Sequence, residues 1–434
     1  LSNICEIHRR KGDLNQSLEC YQEVLRTHRE IGNNYHIAVV LHNIGVVYWQ
    51  QGKLTEARQH LEQSLELRAE IENRIEMSDS LFFLISVTID QGEFSKAQQY
   101  LGQLQEIRDQ EDDKTVHQRY SVAEAQLLKT SRRTRDRVRA EEILARVVDE
   151  AVGDLEVTTL ALLHLCDVLL VELRTSYDAG VLGDVQKRVG QLLELAKEQR
   201  SNWLLAETYV LQARLALIEL DLQEARRLHT QAQIMADEHG LHRLAMVISR
   251  EHDVLLKQLG QWEGLIERQA SLQERIEMAR LEELVVRMIR KRTEDIPEVP
   301  EEPVLLLILD KDGISLFSKH FISEGAPDEQ LIAGFLAAID GFSRVAFSAS
   351  GSLERIKHQD YTLLMHAQAP LLFCYVFKGQ SWGAQQRLNR FLAALKANDS
   401  VWHTLTARSK DTPIPDPETF EGLVTEIFQP ASFS

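Results

Sequence analysis

Three glycines near the start of the chain, Gly12, Gly52 and Gly92, recur at an interval of 40 residues. Each lies in a similar phrase, namely RKGDLNQSL, QQGKLTEAR and DQGEFSKAQ. Around each glycine the apolar residues follow the i, i+3, i+4, i+7 spacing of an amphipathic helix. A repeat of this length is typical of a helical hairpin that cannot bury its apolar face alone. The period therefore predicts stacked hairpins that form an α-helical solenoid.

The aligned repeats agree well beyond the glycine. They share a leucine before it, a small residue after it, and a large apolar residue one helical turn later. These positions are Leu1, Leu41 and Leu81, then Ser17, Ala57 and Ala97, then Tyr21, Leu61 and Leu101. Gly45 is expected where two helix backbones nearly touch. The pattern resembles the tetratricopeptide repeat in its lengthened form of about 40 residues, similar to the repeats of kinesin light chains and spindle-orienting adaptors.

This resemblance implies a mainly α protein with a right-handed solenoid over residues 1–292. Hairpin starts near residues 1, 41, 81, 120, 160, 204 and 245 indicate about seven units. The two middle units follow the pattern least well, and the fifth lacks a glycine at its expected turn. Because Leu1 aligns with a position inside a first helix and no capping repeat precedes it, we expect the chain to be a fragment of a longer array.

The end of the array is predicted from a change in composition. From Trp262 to Arg292 the spacing favours one long helix that seals the solenoid, with a coiled-coil partner as the alternative. Residues 293–303, TEDIPEVPEEP, form an acidic proline-rich linker in which Pro297, Pro300 and Pro303 exclude a helix. A second domain is therefore expected to begin at Val304.

Residues 304–428 change from helical to strand-like spacing. VLLLIL and ISLFSKHF predict two strands joined at DKDG, with Gly313 in the turn. The remaining predicted elements are a helix at Asp328–Phe342, strands at Leu353–Lys357, Tyr361–His366 and Leu371–Phe377, a helix capped by Ser381 and a last helix around Phe420–Ile427. Together they predict a small α/β domain with a five-stranded antiparallel sheet.

The element order and the phrases LLILDKDGISLFS and LLFCYVFKGQSWGAQQRL resemble the longin and roadblock group of domains, and longin more than roadblock. This resemblance implies a regulator of a small GTPase or a component of membrane traffic. Fold analogy alone does not establish such a function. A third hypothesis is the sensor arm of a signalling or transcription protein.

Composition excludes several other classes. The formal charge of −17 argues against a general nucleic-acid binder, because binding phosphates requires positive surface. No apolar run approaches the roughly 20 residues of a membrane-spanning helix. The four cysteines, Cys5, Cys20, Cys166 and Cys374, lack paired spacing, which argues against a disulfide frame or zinc site and favours a reducing, cytoplasmic compartment. No oligomeric state is predicted.

Motifs for catalysis and cofactor binding are missing from the sequence. It contains no GxxxxGK[ST], GxGxxG, HExxH or GxSxG phrase. Asp310 and Asp312 faintly resemble a calcium loop, but a hairpin turn is the simpler interpretation. His239 and His242 fit surface positions at a turn better than a metal site. We therefore expect a non-enzymatic chain with no catalytic residues, cofactor or metal.

A basic stretch from Lys129 to Arg139 runs against the acidic composition. It could dock an acidic partner or a phospholipid surface. The simpler alternative is a solvated helix end and turn whose positive charges balance neighbouring carboxylates. The sequence favours this alternative.

The resemblance to tetratricopeptide repeats also indicates where a partner peptide or helix would bind. In such proteins the first helix of each hairpin lines a concave groove, and an early asparagine holds the backbone of an extended peptide. Asn3 and Asn43 occupy this position, and Phe83 replaces the third. The neighbouring groove positions are Glu6, Arg9, His42, Val46, Trp49, Phe82 and Ile89. Aromatic residues there could anchor a partner or could pack between helices.

Overall fold

The computed structural model of the chain describes residues 2–131, 133–150, 154–279, 301–310, 315–321, 353–407 and 417–428. The chain divides into two compact units. The N-terminal unit comprises Leu1–Ala245 and Gln261–Asp295, and the C-terminal unit comprises Met246–Gly260 and Ile296–Ser434. The expected linker at 293–303 and helix at 328–342 lie largely or wholly outside the described residues.

The first twelve helices pack as six successive pairs along the N-terminal part of the chain, as expected for a helical solenoid. Their bounds are α1 Ser2–Lys11, α2 Leu14–Ile31, α3 Asn34–Gln50, α4 Leu54–Glu70, α5 Arg74–Asp90, α6 Phe94–Gln110, α7 Lys114–Lys129, α8 Thr134–Glu150, α9 Leu155–Ser176, α10 Ala179–Gln199, α11 Asn202–Ile218, α12 Leu222–Glu238, α13 His242–Lys257, α14 Leu259–Glu267 and α15 Leu272–Met278. Most predicted hairpin starts fall a few residues inside the first helix of each pair, because polar caps place the true start earlier.

The first three of these caps recur at the 40-residue interval of the glycines. The first helices of hairpins two to six each begin after a residue whose side chain accepts a hydrogen bond from the backbone of the first turn. The capping residues are Asn33, Asn73, Asp113, Asp154 and Ser201. Asparagine, aspartate and serine are favoured here because they satisfy N–H groups that the helix itself leaves unpaired.

The repeated glycine has the conformational role that its spacing suggests. Gly12, Gly52 and Gly92 have φ values of 89°, 80° and 76°, a region open to glycine at little cost. In hairpin six Leu220 occupies the same turn with φ of 65°, and in hairpin five Tyr177 turns the chain at 53°. Hairpins five and six therefore keep the turn without the glycine.

Gly45 confirms the expected close approach between the two helices of hairpin two. A Cβ atom at this position would lie 2.6 Å from Cγ of Leu61 and 3.1 Å from the carbonyl oxygen of Ala57. The first distance is shorter than a Cβ atom tolerates, and the second is tighter than most Cβ contacts in proteins. The glycine therefore lets α3 and α4 pack closely.

Two expectations about this unit were wrong. Cys5 and Cys20 form a disulfide between the facing helices α1 and α2, although their spacing carried no disulfide signal. The helix expected to continue from Trp262 instead ends at Glu267, and a separate helix, α15, begins after Ser271. The hydroxyl and backbone of Ser271 form a capping box with Glu274.

The C-terminal unit contains the predicted five-stranded antiparallel sheet. Its strands are β1 Glu302–Leu309, β2 Ser315–His320, β3 Leu353–His358, β4 Tyr361–Gln368 and β5 Leu371–Lys378, in the order β2-β1-β5-β4-β3. β5 is buried over seven of its eight residues. Such a continuous apolar strand is typical of the centre of a sheet covered on both faces.

Helices α16 Ser381–Ala397, α17 Asp399–Ala407 and α18 Pro417–Phe428 complete this unit. Phe391 of α16 and Phe428 of α18 meet with ring centroids 5.2 Å apart, beside Tyr375 of β5. The strands and the last helix match their predicted positions, whereas α17 was not predicted. Ser381 was wrongly assigned as a cap: it is the first residue of α16, and its hydroxyl binds Asp253 of α13.

The positive φ at the hairpin turn leads to a test. Gly92 and Gly102 both have open space around an added Cβ atom, but only Gly92 has a positive φ. Gly92→Ala should lower the free energy of unfolding by about 1–2 kcal/mol. Gly102→Ala, inside α6, should raise it by up to about 1 kcal/mol because alanine favours a helix. Urea unfolding measures both, and equal effects would contradict the assigned role of the turn.

Candidate functional site

The first helices of the hairpins pack against one another and form a continuous layer, called here the first-helix layer. α3 contacts α1 and α5, and α7 contacts α5 and α9. In addition α1 contacts α11, which belongs to hairpin six. The predicted groove residues all lie on α1, α3 and α5 and therefore belong to this layer.

Half of the predicted groove residues lie in the hydrophobic core of the N-terminal unit. These are Val46, Trp49, Phe82, Phe83 and Ile89. The indole Nε1 of Trp49 donates to Oδ2 of Asp90 at 2.7 Å, and its ring meets that of Phe83 edge to face at 5.7 Å. These aromatic side chains pack between helices, so they stabilise the layer.

Arg9 is held between two carboxylates in the layer. Its guanidinium, 6 % exposed, donates to Glu6 of its own helix at 2.8 Å and to both carboxylate oxygens of Glu156 on α9 at 2.7 and 2.9 Å. Burial alone would raise the pKa of Glu6, but bonds from Arg9, Arg10 and Tyr21 lower it to about 2. Glu6 and Arg9 are therefore both charged at neutral pH. The two bonds from Arg9 to Glu156 join hairpin one to hairpin five.

A second polar cluster surrounds His42. Its Nε2 lies 3.0 Å from Oδ2 of Asp79 on α5, and Arg68 donates to Oγ of Ser80 at 2.8 Å beside it. Burial, outweighing the nearby Asp79, lowers the pKa of His42 to about 3. The imidazole is therefore neutral at pH 7, and its Nε2–H donates a hydrogen bond to the Asp79 carboxylate.

Arg119 extends this cluster to the next hairpins. It lies 3.4 Å from Asp79 and 3.2 Å from Asp154, the cap of α9. Sequence reasoning missed Arg68, Asp79, Arg119 and Glu156. A signal was present, because Asp79 and Arg119 are 40 residues apart and occupy equivalent positions in hairpins three and four.

Hairpin one also meets hairpin six directly. Nδ1 of His239 lies 2.8 Å from a carboxylate oxygen of Asp13 and 3.3 Å from the amide nitrogen of Asn202. An added Cβ atom on Gly12 would lie 3.2 Å from the backbone nitrogen of Trp203. The turn of hairpin one therefore packs on the start of α11, and His239 takes part in a contact within the chain.

Asn3 and Asn43, the two asparagines predicted to hold a peptide backbone and called here the asparagine clamp, differ from the other groove residues in their exposure and hydrogen bonding. Asn3 is exposed and Asn43 is half-buried. Neither side-chain amide forms a hydrogen bond with another residue in the described part of the chain. Among the described residues, each amide therefore keeps a donor and an acceptor that no other side chain uses.

The basic stretch is partly used within the protein. Lys129 is buried and donates to Oδ2 of Asp167 at 2.8 Å, and Arg139 pairs with Glu124 at 2.6 Å. A cleft of about 900 Å³ beside α8 is lined by charges of both signs, including Arg146 and Glu142. These contacts agree with the simpler interpretation, in which the basic residues balance neighbouring carboxylates.

Among the described residues, no group of three or more histidine, cysteine, aspartate or glutamate side chains could hold a metal ion. Nor does any described helix combine the length and apolar character that crossing a membrane requires.

Comparison with known proteins identifies the repeat. The tetratricopeptide repeat family model matches residues 1–70, which form the first two hairpins. No curated protein matches the chain. The solved structure of a Rap protein complexed with competence and sporulation factor is similar at a TM-score of 0.47 and 13% identity, covering 64% of this chain and 74% of that chain. A tetratricopeptide repeat protein from Parabacteroides merdae is similar at 0.37 and 18% identity, covering 57% and 82%.

The neutral, buried state of His42 predicts a pH dependence. The pKa of His42 is about 3 in the folded chain and 6.5 without burial, so the unfolded state binds a proton first as the pH falls. The contribution of neutral His42 to the free energy of unfolding is therefore present in full well above pH 6.5 and declines as the pH falls through 6.5. Between pH 6.5 and about 4.5, His42 should account for a loss of about 2 kcal/mol in the free energy of unfolding.

Urea unfolding of the His42→Gln variant at both pH values measures this contribution. The variant should lose about 2 kcal/mol less than the wild type over that interval. His117, exposed on α7, provides the control, and His117→Gln should keep the wild-type dependence. An unchanged dependence in His42→Gln would show that His42 is not held neutral.

Proposed function

We propose that this chain is a non-enzymatic protein-interaction scaffold that binds an extended peptide segment of a partner along the first-helix layer. Asn3 and Asn43 would hold the backbone of that segment. The observation that carries the proposal is the pair of side-chain amides, one in each of the first two hairpins, that have no hydrogen-bond partner among the described residues. An amide side chain can pair with both the N–H and the C=O of a peptide backbone.

The match of residues 1–70 to the tetratricopeptide repeat supports this assignment, because the asparagines lie in those two hairpins. The buried aromatic residues do not serve as anchors in the proposal, since they already pack in the core. Likewise, Glu6 and Arg9 are already paired with each other. A partner would therefore gain most from backbone hydrogen bonds, with side-chain contacts setting specificity.

Selection of peptides from a random displayed library, with the intact chain as bait, tests this function. Peptides bound by the wild type should lose about tenfold in affinity with Asn43→Ala and again with Asn3→Ala, because each change removes hydrogen bonds worth about 1–1.5 kcal/mol. Helicity should be unchanged, since alanine favours a helix.

A matched control lies on a second helix of the array. Gln103 of α6 is exposed and also carries an amide, so Gln103→Ala should leave peptide affinity unchanged. If the selected peptides bound the Asn3→Ala, Asn43→Ala double variant as tightly as the wild type, the proposed clamp would be rejected. Failure to select any peptide would count against the extended-peptide function itself.

A second candidate function is regulation of a small GTPase by the C-terminal unit. It is supported by the single antiparallel sheet with α16 following β5, in the element order that resembles longin domains. Nucleotide-exchange and hydrolysis assays with GTPases from the same cell test it. An altered rate with any of them would support this function, and no effect across the set would reject it.

A further inference from the structure

Asp253 of α13 is bound by several groups of the C-terminal unit. Its Oδ2 accepts the backbone N–H of Ser381 at 3.0 Å, and its Oδ1 accepts the Ser381 hydroxyl at 2.5 Å. Nη1 of Arg355 on β3 donates to the same Oδ1 at 3.1 Å. All of these residues belong to the C-terminal unit, which includes Met246–Gly260. A single carboxylate therefore receives three donors.

The arginine of this site requires a negative charge. Arg355 is only 2 % exposed, and among the described residues Asp253 is the carboxylate that pairs with it. Its other contacts are to neutral oxygens, the carbonyl of Ser249 at 3.1 Å and the amide of Gln385 at 3.0 Å. A buried guanidinium without a paired charge is strongly destabilising.

The start of α16 contributes the second half of the site. The residue before it, Gln380, gives no side-chain cap, so the free N–H of Ser381 at the positive end of the helix dipole is satisfied by Asp253. A helix N-terminus, a serine hydroxyl and a guanidinium that converge on one point are the donors that proteins use to bind carboxylates.

We propose that Arg355 and Ser381 form a carboxylate-binding site of which Asp253 is a replaceable ligand. The chemical class that it takes is a carboxylate, either an acidic side chain or a small carboxylate ion. In the intact chain α13 supplies this group, so the site is filled from within. Any external carboxylate must compete with Asp253.

The Asp253→Ala variant of the full chain tests the proposal, because it empties the site while leaving its donors in place. Hydrogen exchange of α16 should accelerate about tenfold or more, since the variant leaves Arg355 buried and unpaired. Sodium formate at about 0.1 M should reverse at least half of this change on a logarithmic scale by occupying the vacated position. Sodium chloride at the same concentration should not, and the wild type should respond to neither.

Two controls separate site-specific rescue from general salt effects. Glu426→Ala removes an exposed carboxylate of α18 and should exchange like the wild type with or without formate. Adding Ser381→Ala to Asp253→Ala should abolish the formate response. A folded Asp253→Ala chain that ignores formate, or that responds equally to chloride, would overturn the proposal. If that variant does not fold, Asp253→Asn serves instead, and wild-type exchange in it would overturn the proposal equally.

Discussion

The packing of first helices against one another is the interaction on which the N-terminal unit depends. α5 shows its consequence most clearly, since 11 of its 17 residues are buried. A helix enclosed on nearly all sides cannot keep its hydroxyl groups in water. Thr88 therefore donates to the carbonyl of Leu84 at 2.7 Å within the same helix, and Ser86 donates to Gln126 of α7 at 3.0 Å.

The polar groups in this layer determine the alignment of the hairpins more than they add to the free energy of packing between them. A buried ion pair contributes little net stability relative to apolar packing, but removing one partner is costly. Arg9 and Glu156 lie 147 residues apart and join hairpins that are not neighbours in sequence. Apolar side chains alone would tolerate small shifts between those hairpins, whereas a bidentate pair of this kind tolerates few. The ion pairs thus specify one arrangement of the first helices.

Much of this architecture could be predicted because it depends on local rules. The glycine period predicted the hairpins, since a positive φ is a property of one residue. The strands of the C-terminal unit were visible because their apolar runs are short and bounded by turns. The disulfide between Cys5 and Cys20 was missed, because their pairing depends on how closely two facing helices approach.

The candidate site was harder to predict for a related reason. Whether an aromatic residue on a first helix faces a partner or a neighbouring helix depends on the radius of the array, which no single repeat encodes. Trp49 illustrates this, because its indole is satisfied by Asp90 of the next hairpin and its ring lies 6.5 Å from that of Trp203 on α11. Hydrophobic periodicity places Trp49 on the apolar face of its helix. It does not predict how close that face lies to α11 of hairpin six.

The saturation of the layer by its own ion pairs limits how it can recognise a partner. A peptide carboxylate that replaced Glu156 beside Arg9 would gain a charge-assisted hydrogen bond, but the carboxylate of Glu156 would lose its partner. The net gain in binding free energy would therefore be small. A free amide has no internal bond to break before it binds. In the proposed function, the peptide backbone would therefore pair with Asn3 and Asn43 without this cost, whereas charged side chains of the peptide would compete with contacts that the layer already makes. The proposed recognition thus favours the main chain of a ligand over its charges.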